Sequence, residues 1–288
     1  MTLKELQTCA TDTLTYFIQT MPDVPFMEDD IVIEFAKRKD MADRAKALCG
    51  IYVPDKKINE SQSEQFNKTV AANALTGREK SVILFCTDYK APKYRFGITP
   101  RELFFHEFMH IYCAKSEVDG KHFIDIYGSG HTYDEDPENK IYDGQLNAGY
   151  VVWSEFIAHY YALQKASDDI YDFDEVRPYA YDLLCDVSLA TDELSKGSFS
   201  YACAYVLNCT DIEEVLNLPA DLSDDKSEAI SYEEKNTAIL LDCLRYLYDK
   251  LQTDKPWKIT EDFILTLGGK FLMFKVTNSV CLGHINLN

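Results

Sequence analysis

Residues 99–115 read TPRELFFHEFMHIYCAK and contain His106, Glu107 and His110 in the order His-Glu-x-x-His. On a helix, side chains four residues apart lie one turn above each other, so the two imidazoles project from one face and can bind a single zinc ion. Glu107 is placed to take a proton from a water that the metal has made more acidic. The stretch therefore predicts the metal centre of an amide hydrolase.

Local signals favour a helix in this stretch. Thr99 is a favourable N-cap, Pro100 suits the first helical position, and Glu102 completes a capping box with Thr99. Five residues recur at helical spacing and predict the inward face of the helix: Leu103, His106, Met109, His110 and Cys113. The alternative interpretation is an amphipathic core helix with two ordinary histidines, and a third ligand elsewhere in the chain would decide between the two.

The composition indicates a globular protein with a large core. Hydrophobic residues make up 46% of the 288 residues and aromatic residues 13%. The 48 acidic and 29 basic residues give a formal net charge of -19, which repels nucleic acid and anionic lipid unless a basic patch intervenes. The densest basic run, residues 37–46, is interleaved with acids. We therefore expect neither nucleic acid nor a membrane as a partner.

Cysteine usage and the first residues favour a cytoplasmic protein. The nine cysteines are scattered and include no Cys-x-x-Cys pair, so we expect reduced thiols and no cysteine-based zinc site. Residues 1–21 are amphipathic and lack the apolar core of a secretory signal. No stretch has the run of apolar residues that a membrane span requires.

The pattern of the whole chain predicts an α+β fold, in which a small N-terminal mixed sheet packs on the metal-binding helix and a mostly helical half follows. In the first part, residues 1–98, we predict helices over residues 2–20 and 60–75, the latter ending at Gly77, and strands over residues 30–36, 48–53 and 81–86.

The middle part, residues 99–166, holds the His-Glu-x-x-His helix, a long loop and a second helix. We predict the loop over residues 117–149, with a short strand at residues 122–127, and the helix over residues 150–165. The last part, residues 167–288, is predicted to be helical over residues 175–196, 200–208, 211–217, 232–251 and 260–276, with Gly268 and Gly269 able to break the final helix.

Glu155, in the second helix, is the candidate for the third metal ligand. Catalytic zinc takes three protein ligands and leaves a fourth position for water. Ala158 and Ala162 on the same face are small enough to let this helix lie close to the first one, as a short bond from Glu155 to zinc requires. The alternative is an ordinary surface glutamate on an amphipathic helix.

With a glutamate on a second helix after the His-Glu-x-x-His helix, the chain resembles the gluzincin group of zinc metallopeptidases. Glu155, Ala158 and Ala162 look like the spacing seen on the second helix of several such peptidases. The resemblance implies that His106, His110 and Glu155 are zinc ligands and that Glu107 is the general base. It covers two short helices and concerns the metal site and the layout of the core, not the substrate, for which a small amide or a peptidoglycan fragment stays open beside a peptide or protein.

One position departs from that group, which commonly has an aspartate four residues after the ligand glutamate, hydrogen-bonded to a zinc histidine. Here the residue is His159. Either another carboxylate supports the ligands, with Asp125, Asp134 and Asp143 as candidates, or His159 has a different task. Two other groups of zinc hydrolases fit less well, since the chain lacks the glycine and third histidine of metzincins and the upstream cysteine motif of peptide deformylases.

The function that these residues favour is zinc-dependent peptide hydrolysis. We expect Glu107 to deprotonate the attacking water and to deliver the proton to the leaving amine. His159 is the first candidate for a donor to the oxyanion, with His131 and Tyr133 as further candidates. The strand at residues 81–86 is a candidate edge for binding an extended peptide or, alternatively, a plain core strand.

A different class of function stays open. The chain would then be a non-catalytic helical interaction or regulatory protein that keeps a structural or vestigial metal site. Glu107 argues against that class, because structural zinc needs no base beside its ligands.

Overall fold

A three-stranded mixed sheet lies at the N-terminal end of the chain. Its strands are β1 (Ile31–Ala36), β2 (Ala72–Leu75) and β3 (Ser81–Cys86), in the order β1-β3-β2. β3 is parallel to β1 and antiparallel to β2, and all of its residues are buried. The continuous apolar run of β3 is typical of a strand that is covered on both faces.

The computed structural model describes residues 1–54, 57–88, 99–115, 137–166, 196–209 and 232–281. Most of these residues are helical, and together with the small mixed sheet they give the α+β fold that the sequence predicts. The chain divides into two compact units: Met1–His131 with Tyr161–Ser167, and Thr132–Tyr160 with Asp168–Asn288.

In the first unit, α4 (Pro100–Lys115) covers one face of the sheet. The ring of Phe104 stacks on that of Phe85, with centroids 4.6 Å apart. The N-terminal helix α1 (Leu3–Thr20) packs against α4, where the ring of Phe17 lies 4.8 Å from that of Phe105. The helix that carries the His-Glu-x-x-His motif is thus held between the sheet and another helix.

The opposite face of the sheet is covered by α2 (Met41–Tyr52) and α3 (Glu60–Lys68). Because side chains alternate along a strand, Val82 and Leu84 join the cluster beneath α2, whereas Phe85 faces α4. Both faces of β3 are therefore packed.

Two predictions for the first unit were wrong. The strand predicted over residues 48–53 is the end of α2, because Leu48 and Cys49 continue the helical spacing of the buried Met41 and Ala45. A short apolar run does not by itself distinguish strand from helix. The helix predicted over residues 60–75 ends at Lys68, and β2 follows it.

Gly77 does not end that helix. Glycine is required at this position for a different reason. A β-carbon at Gly77 would collide with the carbonyl oxygens of Lys80 and Tyr52, so only glycine fits this approach of two backbone segments.

The described part of the second unit is built from α5 (Pro137–Ala166), α6 (Lys196–Cys209), α7 (Tyr232–Leu251) and α8 (Glu261–Cys281). Residues of α5 from Tyr161 onward belong to the first unit. Aromatic rings join these helices. Phe263 of α8 lies between two of them, with its ring centroid 5.0 Å from Trp153 of α5 and 5.1 Å from Tyr246 of α7.

Two glycines bring α5 and α8 together. A β-carbon at Gly149 would collide with the carbonyl oxygen of Ile264, and one at Gly268 would collide with the carbonyl oxygen of Gln145. The glycine pair that could have broken the last helix instead lies inside a continuous α8. Close backbone packing explains why glycine is tolerated in both helices.

The boundaries of the other predicted helices need correction. The loop predicted over residues 117–149 is helical from Pro137 onward, where Gly149 packs against α8 and the side chain of Asn147 accepts a hydrogen bond from Lys196 of α6. Lys196, predicted to end a helix, begins α6. The helix predicted over residues 232–251 is confirmed as α7. The strand at residues 122–127, residues 175–195 of the helix predicted over 175–196, and the helix at residues 211–217 lie outside the described residues.

No helix in the described part of the chain is both long enough and apolar enough to cross a bilayer.

Candidate metal centre

The N-terminus of α4 is closed by the capping box that the sequence predicts. The backbone N–H of Thr99 donates to a carboxylate oxygen of Glu102 at 2.6 Å, and the backbone N–H of Glu102 donates to the hydroxyl of Thr99 at 3.2 Å. Two N–H groups that have no partner within the helix are thereby satisfied. The box fixes where the helix begins and hence which residues face the same side.

α4 is buried around nearly its whole circumference, which differs from the single inward face predicted. Its residues from Glu102 to Met109 are all buried, as are Ile111 and Tyr112, whereas the predicted inward residues His110 and Cys113 are half-buried. The cause is the packing of the sheet on one side and α1 on another, which also buries the phenylalanines at positions 104, 105 and 108. A helix that is buried on nearly all sides belongs to the core, here with three polar residues, Glu102, His106 and Glu107, buried in it.

The two histidines of the motif point to the same place. Their Nε2 atoms are 2.9 Å apart, and their rings meet edge to face at an angle of 85°. In a tetrahedral zinc site with Zn–N bonds of about 2.0–2.1 Å, two Nε2 ligands are separated by roughly 3.3 Å. A small rotation of either ring would bring the two Nε2 atoms of His106 and His110 to the spacing of two ligands of one zinc ion.

Glu107 is a buried carboxyl beside this pair. Its residue is 5% exposed and that of His106 is 6% exposed. Successive residues of a helix are turned by about 100°, so Glu107 projects roughly 60° away from His110 around the helix axis. Glu107 therefore lies in the interior of the protein, on a part of the helix surface close to that of the histidine pair.

Cys113, one turn beyond His110, is half-buried. Burial raises the pKa of its thiol to about 12, which favours the neutral thiol. That no cysteine binds the metal stays a prediction, because a bound metal ion itself lowers the pKa of a coordinating thiol.

The second helix of the predicted site is α5, and it places Glu155 and His159 on one face. Nε2 of His159 lies 3.9 Å from carboxylate oxygen Oε2 of Glu155, with the side chains 15% and 32% exposed, respectively. The pair is one helical turn apart, as the sequence predicts. Ala158 and Ala162, the small residues of the predicted spacing, are buried.

The structure adds a residue that the sequence did not single out. Tyr201 of α6 places its ring against the imidazole of His159, with centroids 5.0 Å apart and planes at 78°. Among 19 tyrosines no sequence signal distinguishes this one. Tyr205, one turn further on, lies 6.0 Å from Tyr201 by ring centroids.

The remaining predicted residues have different outcomes. Asp143 lies in the part of α5 that was predicted to be a loop, and it is half-buried. Asp125, Asp134, His131 and Tyr133 lie outside the described residues.

The strand β3 does not offer an edge to a peptide. It is paired on one side with β1 and on the other with β2, so its backbone groups are already used. The prediction of a peptide-binding edge at residues 81–86 was therefore wrong, and the plain core strand is the arrangement observed.

Comparisons of this chain with protein-family models, with curated proteins and with solved structures found no match.

Proposed function

We propose that the protein is a zinc-dependent peptidase in which His106, His110 and Glu155 hold the metal and Glu107 is the general base. The observation that carries the proposal is the convergence of the two Nε2 atoms to 2.9 Å beside a buried glutamate. Structural zinc sites use four protein ligands and have no need for a base next to them. A histidine pair with an adjacent buried carboxyl is instead typical of a hydrolytic site.

The donor set fits zinc. Imidazole nitrogen and carboxylate oxygen are both ordinary zinc ligands, and the two Nε2 atoms need only a small adjustment to reach tetrahedral spacing. Glu155 is proposed as the third ligand because of its helix and spacing in the sequence, and its side chain keeps 32% exposure on α5. A bound zinc ion would acidify a water and polarise the scissile carbonyl group.

The chain's own residues account for the proton transfers. Glu107 accepts a proton from the attacking water and passes it to the nitrogen of the leaving amine. His159 is the proposed donor to the oxyanion that develops on the carbonyl oxygen, through its ring nitrogen Nδ1, since its Nε2 faces Glu155. The low exposure of Glu107 keeps bulk water away from the carboxyl group and strengthens its interaction with the reacting atoms.

The substrate proposed is a peptide or protein, and the proposed compartment is the cytoplasm. The formal charge of -19 disfavours nucleic acid and anionic membranes as partners. The proposal of the cytoplasm rests on the scattered cysteines of the sequence, and among the described residues Cys86, Cys113, Cys203 and Cys243 form no disulfide.

The rival function is a non-catalytic interaction or regulatory protein with a structural or vestigial metal site. Metal content and cleavage together separate the two. The purified wild-type chain should contain one zinc ion, and His106→Ala should lose it. Zinc content that is unchanged in His106→Ala would contradict the ligand assignment.

The decisive variant for the enzyme is Glu107→Gln. We expect it to keep zinc and to lose cleavage of a fluorescence-quenched peptide library by about a hundredfold or more, because general acid–base catalysis contributes at least that much. Equal cleavage by Glu107→Gln and the wild type would rule out the assigned base.

Glu102→Gln is the matched control. Glu102 is another buried glutamate of α4, and glutamine can keep its hydrogen bond in the capping box. Cleavage by this variant should equal that of the wild type, which separates loss of the base from loss of a buried negative charge on the helix.

A further inference from the structure

We propose that Tyr201 is a positioning residue that holds His159 against Glu155, so that α6 supports the carboxylate ligand of the metal. This inference rests on the proposed function only in taking Glu155 as a zinc ligand. Tyr201, His159 and Glu155 all lie in the second unit. Tyr201 of α6 contacts His159 of α5, and His159 in turn faces Glu155.

Two distances define this chain of contacts. The ring of Tyr201 meets the imidazole of His159 at a centroid distance of 5.0 Å and an angle of 78°. Nε2 of the same imidazole lies 3.9 Å from Oε2 of Glu155. An edge-to-face aromatic pair is a favoured geometry, and it restricts rotation of the imidazole about its side-chain torsions.

The register of the two helices is fixed by side-chain hydrogen bonds on either side of this contact. The hydroxyl of Ser200 donates to the carbonyl oxygen of Val152 at 2.9 Å, and the amide of Asn208 donates to the carbonyl oxygen of Tyr160 at 3.1 Å. The donors are 208 − 200 = 8 residues apart and the acceptors 160 − 152 = 8 residues apart, so α6 runs in the same direction as α5 here. These two hydrogen bonds thus fix which residues of α5 lie next to Tyr201.

A carboxylate ligand needs such support. Partners that contact a metal ligand from outside fix its orientation, and their loss typically weakens metal binding by about 10–100-fold. Tyr201 gives this support indirectly, because it fixes the ring of His159, which faces Glu155.

The experiment measures zinc affinity of the full-length chain by competition with a fluorescent chelator, so it needs no peptide substrate. Tyr201→Leu should weaken zinc binding about tenfold, and Tyr201→Phe, which keeps the ring, should stay within about twofold of the wild type. The matched control is Tyr246→Leu, which removes a ring that stacks on Phe263 in the same unit. It should also stay within about twofold.

A double-mutant cycle tests whether Tyr201 acts through His159. If it does, Tyr201→Leu causes no further loss of zinc affinity in a His159→Ala background, because the imidazole that Tyr201 holds is absent there. If Tyr201 had a purely structural role, Tyr201→Leu would weaken zinc binding by the same factor in both backgrounds. That result would overturn the proposal. Zinc binding by His159→Ala that is as tight as in the wild type would also overturn it, whether or not Tyr201→Leu folds.

A readout without metal completes the test. In zinc-free protein, the nuclear magnetic resonance signal of the His159 ring should shift in Tyr201→Leu and stay nearly unchanged in Tyr246→Leu. Tight zinc binding by a wild type that cleaves no peptide would refute the proposed peptidase and leave the role of Tyr201 intact. Zinc binding that is insensitive to Tyr201→Leu would refute that role and leave the peptidase intact.

Discussion

Gly149 of α5 and Gly268 of α8 put the backbones of two helices in direct contact. A β-carbon on Gly149 would collide with the carbonyl oxygen of Ile264, and its next neighbour would be the backbone nitrogen of Gly268. Neither helix can accept a side chain at this point without moving apart. The crossing also lies less than two turns before Glu155 on α5, so it helps to set where that helix runs.

Alanine at Gly149 should therefore destabilise the protein. Overpacking of this kind costs roughly 1–3 kcal/mol of the free energy of unfolding, measured by urea denaturation. Gly144→Ala is the control in the same helix, because a β-carbon there meets no atom within 4 Å. It should raise the free energy of unfolding by up to about 1 kcal/mol through better helix propensity. Equal changes in the free energy of unfolding for the two substitutions would contradict the close contact of α5 and α8 at Gly149.

The capping box of α4 predicts a second stability effect. Thr99→Ala removes the hydroxyl that accepts from the N–H of Glu102, and it should lower the free energy of unfolding by roughly 0.5–2 kcal/mol. Thr99→Ser keeps the acceptor and should stay close to the wild type. Both free energies of unfolding are measured by the same urea denaturation. If Thr99→Ser were as unstable as Thr99→Ala, the methyl group of Thr99 and not its capping hydroxyl would account for the loss of stability.

Stability should fall in alkaline solution partly because of Cys243. Burial, with the nearby charge of Asp242, raises the pKa of this thiol to about 12. An unfolded chain ionises its thiols from about pH 8.5, so the contribution of Cys243 to stability is complete below that pH and is lost as the pH rises toward 12.

Cys243→Ala should make the loss of stability between about pH 9 and pH 11 less steep, by up to about 1 kcal/mol per pH unit. Leu247→Ala truncates another buried side chain of α7 and serves as the control. It should lower stability at every pH without changing the slope. The same slope in Cys243→Ala and in the wild type would contradict the raised pKa.

Zinc removal provides a test at the level of the whole protein. A ligand that binds only the folded chain at 100 times its Kd stabilises it by about 2.7 kcal/mol, so a chelator should lower the Tm measured by calorimetry. The same chelator saturated with zinc is the control and should have no effect. His110→Ala should abolish the response, and a chelator response that survives in this variant would place the metal elsewhere.

Much of the first unit could be predicted because its signals are local. The helix at residues 99–115 shows its N-cap, its first-turn proline and its capping glutamate in the sequence, and the structure has it at Pro100–Lys115. The strand at residues 81–86 is equally plain as a short apolar run. What local signals could not supply was the position of that strand in the sheet, which depends on pairing with β1 and β2.

The errors arose where distant contacts decide the structure. Residues 48–53 have the apolar character of a strand, yet they continue α2 because Met41 and Ala45 begin its buried face. Residues 137–149 are rich in turn formers, yet they are helical because Gly149 packs on α8. Local composition does not encode either packing partner.

The same distinction between local signals and distant contacts applies to the candidate site. The pairs His106–His110 and Glu155–His159 could be predicted because each is one turn of one helix. Tyr201 could not, because its approach to His159 depends on how α6 lies along α5. A residue that supports a site from another helix leaves no spacing signal in the sequence.

The burial of α4 on nearly all sides means that one helix serves two purposes at once. Its phenylalanines build the interior, while His106, Glu107 and His110 carry the proposed chemistry between them. A substitution on this helix will therefore change the amount of folded protein together with the property of the site. Measurements on such variants have to be normalised to the folded fraction, and directed changes of specificity are better made on α5 or α6.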